Sequence, residues 1–289
     1  MDGAHYAFMP RAKEIKSMYN ELATIDERGV SHSRYTTYLF ETDRYERARL
    51  AFYFSIIQEA AGVHAALRGL SLTDLRSEGV TWVITRNRVK VHRYVRWGEV
   101  VYVKTWATQP VRLHMPRIIE GYDKEGVLIF RSTTLWAILD KESGKPQRPQ
   151  VYSDRMVLPA PDDPDYPITI TMPKPINGDE AVVLLASSDV TPTYDDTDRN
   201  HHVNNLSYLN WALGALPSEL RDQYNITTID ASYLKQTFLT DELSVQTWGA
   251  TAEMMEEDEP SFFHRIVRKD GEAVWEAHSK WKKREEFRA

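Results

Sequence analysis

The chemically richest part of the chain is the segment YDDTDRNHHVNN at residues 194–205, which holds three Asp, three Asn and two His in twelve positions. A carboxylate or an imidazole with a pKa near neutrality can activate a water molecule. An Asn amide and the backbone amides at a helix start can stabilise the charge that forms on a carbonyl oxygen under attack. Asp198, Asn200 and His202 supply all of these groups just before a predicted helix. The segment is therefore a candidate site for hydrolysis at a carbonyl carbon.

Two kinds of metal site are alternative interpretations of the same segment. Asp196, Asp198 and Asn200 have the alternate spacing of a calcium-binding EF-hand loop. However, His201 stands where that loop needs Gly, and Ser207 stands where it needs a bidentate Glu. A transition-metal site would use the two adjacent histidines, but adjacent side chains usually diverge and no third His follows at helical spacing. We therefore expect no metal ion and no other cofactor.

A structural role is the other alternative for these polar residues. Asp and Asn side chains commonly cap helices and stiffen turns. This interpretation accounts well for the Asp and Asn residues, but less well for a His four residues after Asp198. Sequence spacing alone leaves the structural and the hydrolytic interpretations open.

The elements that must position this segment follow a pattern of one helix and then several strands. Apolar residues recur at helical spacing over residues 48–68, with Gly69 as the expected stop, and again over residues 206–216. Strand-like sequence covers residues 81–86, 88–94, 99–108, 117–122 and 127–140. Gly126 and Gly271 suit hairpin turns. Strands that follow one helix predict an α+β fold, with an antiparallel sheet wrapped around an apolar helix.

The chain reads as two related halves joined by a proline-rich connector. Six of the fourteen prolines lie between residues 159 and 175, which predicts an exposed, stiff linker. The triplet Thr-Asp-Arg begins at Thr42 and again at Thr197, and the pair Thr-Trp begins at Thr105 and again at Thr247. Repeats in the same order indicate a duplicated domain. We expect domains at residues 1–160 and 181–289, with the linker at 161–180.

Composition excludes several other classes of function. The net charge of −6 argues against nucleic acid as a partner. The absence of cysteine excludes disulfides, cysteine-ligated metals and a cysteine nucleophile. The amino-terminal residues lack the apolar core of a secretory signal, and no run approaches the roughly 20 apolar residues of a membrane span. These features predict a soluble, cytoplasmic protein.

The stretch DTDRNHHVNNLSYLNW at residues 196–211 resembles the signature of the plant and bacterial acyl–acyl-carrier-protein (acyl-ACP) thioesterases. That signature is Asp-x-Asn-x-His-Val-Asn-Asn before an aromatic-rich helix. Residues 81–106 and 131–149 resemble further parts of the family's first domain, in the right order. The resemblance implies a tandem double hotdog fold, in which each half is a long helix wrapped by an antiparallel sheet. It also implies hydrolysis of a fatty acyl-ACP thioester to free fatty acid and ACP, in fatty acid biosynthesis.

The resemblance also implies roles for individual residues. The family's catalytic Asp, Asn and His fall on Asp198, Asn200 and His202. A further catalytic Glu, in the strand after the helix, falls on Gln236. This departure matters because Gln cannot act as a base, although it can hold a water or the substrate carbonyl by hydrogen bonds. It favours Asp198 or His202 as the group that activates water.

The first half departs further from the motif. It keeps an Asp at Asp43, but Tyr45 and Arg47 stand where the second half has its Asn and His. We therefore expect one active site per chain, with the first half as scaffold and substrate-binding partner. An acyl-CoA thioesterase on the same fold and a non-catalytic acyl-binding protein stay open as alternatives, and a hydratase is a weaker one.

Two more groups of residues are candidates for contact with an acyl-ACP substrate. Apolar side chains near the expected helix–sheet interface would line an acyl slot. They are Phe52, Phe54, Ile57, Trp82 and Ile84. ACP is strongly acidic and this chain is acidic too, so docking needs a local basic patch. The alternating candidates are Arg86, Arg88, Lys90, His92 and Arg96. A homodimer stays open as the assembly.

Overall fold

One antiparallel sheet holds most of the secondary structure in the computed structural model, which describes residues 18–174, 183–249 and 259–284. Its strands, within these residues, are β1 (Ala23–Ile25), β2 (Ser31–Thr36), β3 (Val80–Val91), β4 (Val100–Ala107), β5 (Met115–Tyr122), β6 (Leu128–Asp140), β7 (Val183–Val190), β8 (Tyr224–Tyr233), β9 (Leu243–Gly249), β10 (Ser261–Arg268) and β11 (Ala273–Lys283). The α-helices that lie wholly within the described residues are α1 (Leu50–Leu67), α2 (Leu72–Arg76), α3 (Gln150–Met156), α4 (Asn205–Gly214) and α5 (Ser218–Gln223). The prediction of an α+β fold is confirmed.

The sheet consists of two halves with the same internal order. Its order is β1-β2-β4-β5-β6-β3-β8-β11-β10-β9-β7, so the run β2-β4-β5-β6-β3 is followed by its mirror image, β8-β11-β10-β9-β7. The halves join where β3 pairs with β8, from Arg86 opposite Ser232 to Lys90 opposite Thr228. This pairing satisfies two strand edges that would otherwise be open. The mirrored order is the arrangement that a tandem double hotdog requires.

The strands follow the predicted pattern with one change. The segments expected at 81–86 and 88–94 form the single strand β3, whose register shifts between Ile84 and Arg86. A bulge of this kind interrupts the alternation and so resembles a strand boundary in the sequence. Gly126 and Gly271, with φ of 80° and 89°, lie in the β5–β6 and β10–β11 turns as predicted.

α1 and α4 are the central helices of the two halves, and they pack against each other. α1 ends one residue before Arg68, and Gly69 has a φ of 68°, which agrees with the predicted stop. By length and composition alone α1 could cross a membrane, contrary to our expectation that no apolar run approaches that length, but 67% of it is buried inside the protein. Tyr53 of α1 and Tyr208 of α4 share a single core with Trp275 of β11. The halves are therefore joined through their interior as well as through the sheet.

The connector is less exposed than predicted. Residues 159–174 form neither helix nor strand, but Tyr166 and Ile168 are buried. The indole N–H of Trp106 donates to the Pro167 carbonyl at 3.0 Å, which ties the connector to the first half of the sheet. Burial of these apolar side chains explains why a proline-rich segment packs against the domain that it follows. The rest of the predicted linker, residues 175–180, lies outside the described residues.

Candidate active site

A tight loop just before α4 carries the three residues of the predicted site. The backbone N–H of Asn200 donates to Asp198 Oδ1 at 2.8 Å, and that of His202 donates to the same oxygen at 3.4 Å. The backbone N–H of Asp198 donates to the His202 carbonyl at 2.8 Å. His201, at the tip, has a φ of 61°, in the left-handed region. Asp198 therefore holds the loop closed, and the side chains of Asp198, Asn200 and His202 all line one cavity.

The loop is fixed at its far end by the start of α4. Asn204 caps this helix by accepting the backbone N–H of Leu206 at 2.9 Å. The backbone N–H of Val203 donates to the Thr237 carbonyl at 2.8 Å, which attaches the loop to the segment after β8. Asn205, in the first turn of α4, also lines the cavity. The positive end of the helix thus faces the same space as the candidate catalytic side chains.

The first half contains a structural copy of this loop. Asp43 Oδ1 accepts the backbone N–H groups of Tyr45 at 2.9 Å and Arg47 at 3.1 Å, and Glu46 at the tip has a φ of 59°. Each loop is closed by an isolated bridge, between residues 42 and 48 in one half and 197 and 203 in the other. Asp43 Oδ2, however, pairs with the buried Arg284 at 3.0 Å. A carboxylate that holds the backbone is common to both loops, so what distinguishes the second-half loop is its Asn and His.

The imidazole of His202 is half-buried in the cavity wall, where its ring meets Phe238 edge-on at 5.1 Å between centroids. Burial lowers the pKa of His202 below its ordinary value of 6.5, although the Asp198 carboxylate opposes the shift and His201 reinforces it. A neutral imidazole at pH 7 is ready to accept a proton. His202 therefore has the protonation state that a general base needs.

Asn200 and Gln236 bring two amide side chains to the same cavity. Asn200 Nδ2 donates to Asp198 Oδ2 at 3.4 Å, which leaves its second N–H for a substrate oxygen. Gln236 lies three residues beyond β8 in an exposed segment, not within the strand as the resemblance implied. Its carbonyl accepts a hydrogen bond from Arg268 Nη2, so the backbone at this position is anchored. Gln236 is therefore placed at the rim of the cavity.

The cavity has a volume of about 820 Å³ and is shared by the two halves. Its second-half end is formed by the loop, by Tyr208 of α4 and by Tyr233 of β8. The remainder is mainly an apolar wall from α1 and the first-half strands. Six residues of that wall are Ala61, Ala65, Trp82, Ile84, Met115 and Trp136. A volume of this size lies in the range of sites that enclose small lipophilic ligands.

The candidate acyl-binding residues divide into two groups. Trp82 and Ile84, on β3, line the cavity. Phe52, Phe54 and Ile57 do not line it; they are buried in the main core. These three residues belong to the first turns of α1, which pack inside the core, whereas the later turns of α1 border the cavity. The element on which a residue lies and its place along that element, and not its apolar character, separate the two groups.

The expected ACP-docking residues do not form one strand face. Arg86 makes a two-pronged ion pair with the buried Asp230 across the β3–β8 junction, at 2.7 Å and 2.5 Å, and Arg88 Nη1 approaches the same carboxylate at 3.6 Å. Arg88 also donates to a connector carbonyl at 2.6 Å. These two arginines therefore hold the halves together. Lys90, His92 and Arg96 are exposed, but the last two lie beyond the end of β3.

Several cavity residues escaped sequence reasoning. Gln58 and Glu59 border the cavity and interrupt an otherwise apolar helix, which was an available signal. Arg117, a charged residue in an almost wholly buried strand, was another. Tyr233 carried none, because aromatic residues are ordinary in strands. Among the described residues, no three His, Cys, Asp or Glu side chains are grouped closely enough to hold a metal ion.

Comparisons with known proteins agree with this geometry. Residues 29–153 match the model of the acyl-ACP thioesterase N-terminal domain, and residues 182–283 match that of the C-terminal domain. The chain is 22% identical to oleoyl-acyl carrier protein thioesterase 1, chloroplastic, of Arabidopsis thaliana, covering 91% of this chain and 79% of the relative. A Coriandrum sativum oleoyl-acyl carrier protein thioesterase is 24% identical, over 92% and 81%.

Solved structures resemble the fold over nearly its whole length. An acyl-ACP thioesterase from Bacteroides thetaiotaomicron superposes with a TM-score of 0.71 and 23% identity, covering 89% of this chain and 99% of the other. The 12:0-ACP thioesterase from Umbellularia californica gives a TM-score of 0.71 and 20% identity, over 89% and 95%. The two domain matches together cover most of the sequence. This chain belongs to the acyl-ACP thioesterase family.

Proposed function

We propose that this protein hydrolyses fatty acyl-ACP thioesters to free fatty acid and ACP, at a single site around Asp198, Asn200 and His202. One observation carries the proposal: these side chains share a cavity with a long apolar wall from the first half. A thioester carbonyl at the loop would leave its acyl chain against that wall. Acyl binding without catalysis would need the wall, but not a neutral imidazole and an oriented amide beside it.

The proposed reaction assigns a role to each of these groups. The thioester oxygen accepts a hydrogen bond from the free N–H of Asn200, close to the start of α4. A water oxygen attacks the carbonyl carbon while His202 takes a water proton. The tetrahedral intermediate then collapses, the carbon–sulfur bond breaks, and His202 returns the proton to the leaving thiolate. Asp198 holds the loop and orients Asn200, and Gln236 at the rim can position the water.

The pH dependence should report the lowered pKa of His202. Because a general base works when unprotonated, kcat/KM should rise with pH through the pKa of His202 and level off above it. Because burial lowers the pKa of His202, the midpoint of this rise should lie below pH 6.5. The measurement is a kcat/KM profile from pH 4.5 to 8 on one acyl-ACP. A rise centred above pH 6.5 would assign the step to another group.

The length of the accepted chain should depend on Gly62. This residue lies within α1, lines the cavity, and has no atom within 4 Å of the position that a Cβ would take. Gly62→Leu should therefore fill cavity space, and it should also stabilise the helix by about 0.5–1 kcal/mol. We expect kcat/KM to fall roughly 10–100-fold for the longest accepted chains and to stay unchanged for short ones.

A matched control for that variant is Gly214→Leu. Gly214 is also helical and also has open space around a Cβ, but it does not line the cavity. It should keep the wild-type profile across acyl chains of increasing length. Identical profiles for both variants would show that the chain does not pass α1.

The direct test of the proposed function is thiol release from acyl-ACP, with acyl-CoA alongside. The protein contains no cysteine, so a thiol reagent detects only the released carrier or CoA. We expect acyl-ACP to be the better substrate in kcat/KM. Equal or faster release from acyl-CoA would favour the acyl-CoA thioesterase alternative. Binding of both compounds with no release from either would leave the non-catalytic alternative.

A further inference from the structure

Arg117 is a buried cation in the wall of the acyl cavity. It lies on β5 with 5% of its surface exposed, and it is one of the residues that border the cavity. Its Nη1 donates to His64 Nδ1 at 2.8 Å and to Thr105 Oγ1 at 3.2 Å, and its Nη2 lies 3.7 Å from Met156 Sδ. All three of these partners belong to the first half.

No carboxylate in the described part of the chain neutralises this guanidinium. Burial lowers the pKa of Arg117 to about 10, and no acidic neighbour contributes to or opposes that shift. The group is still charged at neutral pH. His64 is neutral, since burial and the nearby cations Arg117 and Arg68 hold its pKa well below its ordinary value, and a neutral imidazole brings no negative charge. A buried charge whose partners are all neutral is costly for a fold, and such groups are usually paired.

The hydrogen bonds of Arg117 also leave room for a further acceptor. A guanidinium has five N–H donors. The described partners accept three of them, and one of those partners is a thioether, which is a weak acceptor. The guanidinium therefore has N–H donors that these partners do not use, and Arg117 borders the open space of the cavity. An oxygen atom arriving through the cavity would find a donor that has already lost its water.

We infer that Arg117 is a specificity-determining residue, which binds an oxygen acceptor at the far end of the acyl chain and favours chains that end in a carboxylate. This inference rests on the proposed function, because the reacting carbonyl lies at the second-half loop and the chain extends into the first half. A carboxylate would form a charge-assisted, two-pronged pair with the guanidinium. A hydroxyl-ended chain would gain less, and a methyl-ended chain of the same length would leave the charge unpaired.

The test is a panel of acyl-ACPs that end in methyl, hydroxyl or carboxylate groups, each over a series of chain lengths. At the length that reaches Arg117, the wild-type protein should prefer the carboxylate-ended chain over the methyl-ended chain at least about tenfold in kcat/KM. Arg117→Met should reverse this preference and raise turnover of the methyl-ended chain. Arg34→Met, which removes an exposed arginine on β2, should keep the wild-type order.

Folding of the variant does not limit the test. Replacing an unpaired buried charge by an apolar side chain of similar length is commonly neutral or stabilising, so Arg117→Met should melt no lower than the wild type. If Arg117→Met does not fold, Arg117→Lys keeps the charge but removes the fork, and it should weaken the carboxylate preference. Equal methyl-to-carboxylate ratios in the wild type and in a folded Arg117 variant, at every length, would overturn the inference.

A binding measurement separates this inference from the proposed function. Free dicarboxylic and monocarboxylic acids of matched length are titrated into the wild-type and Arg117→Met proteins by calorimetry. Tighter binding of the dicarboxylic acid, lost in Arg117→Met, supports the role of Arg117 even if no acyl-ACP is hydrolysed. Release of methyl-ended chains without any effect of Arg117 in either experiment refutes the role of Arg117 alone.

Discussion

Replacement of His202 by alanine is expected to lower kcat/KM for acyl-ACP by about 10²–10⁴-fold, with little change in Tm. Within the described part of the chain the imidazole makes a ring contact with Phe238 and no hydrogen bond, and the loop is held by Asp198 and backbone groups instead. Loss of the imidazole removes the proton acceptor and leaves the loop closed. The measurements are steady-state thiol release and thermal melting on the same preparation.

The adjacent histidine provides the control for this prediction. His201 is exposed, does not line the cavity and has a positive φ that Asn tolerates well. His201→Asn should therefore retain wild-type activity. If His202→Ala were as active as His201→Asn, the assignment of the general base would be wrong.

Replacement of Asn200 by alanine should lower kcat/KM about 10²–10³-fold, as expected for removal of an oxyanion donor.

Replacement of Asp230 by alanine is expected to destabilise the protein by about 3–5 kcal/mol, the usual cost of leaving a buried ion pair with one partner. Asp230 is 4% exposed and is the shared partner of Arg86 and Arg88 at the β3–β8 junction. Its loss leaves two half-buried cations facing each other where the halves meet. Urea unfolding should show the loss as a lower midpoint.

Asp222→Ala is the matched control for the ion pair. Asp222 pairs with Arg44 at 3.2 Å, and the side chains are 25% and 64% exposed. An exposed pair of this kind contributes at most about 1 kcal/mol. A loss in Asp230→Ala no larger than in Asp222→Ala would mean that the junction is held by strand pairing and the shared core alone.

The duplicated loop changes how Asp198 should be understood. The Asp of the first-half copy makes the same backbone contacts without any Asn or His to serve. The contact shared by the two loops is geometric, and this favours the proposal that His202, not Asp198, activates water. The prediction that each half contains a related motif came from three-residue repeats, but only the coordinates reveal that the two backbones match.

The linear sequence predicted most of the local structure and the whole candidate loop. Helical periodicity and Gly69 predicted α1 and its end, and Gly126 and Gly271 predicted two hairpin turns. The spacing of Asp198, Asn200 and His202 brought three side chains into one loop, because residues within five positions of each other are positioned by local hydrogen bonds. Such features can be predicted from the sequence because they depend on neighbours along the chain.

Only the tertiary structure decided which distant residues share the cavity. Phe52 of α1 and Trp82 of β3 are both apolar, yet the first lies in the core and the second borders the cavity. Arg86 and Arg117 are both strand arginines, yet Asp230 neutralises the first and no described carboxylate neutralises the second. Pairing across the sheet joins residues more than a hundred positions apart, so burial and charge compensation at these sites depend on how the halves meet.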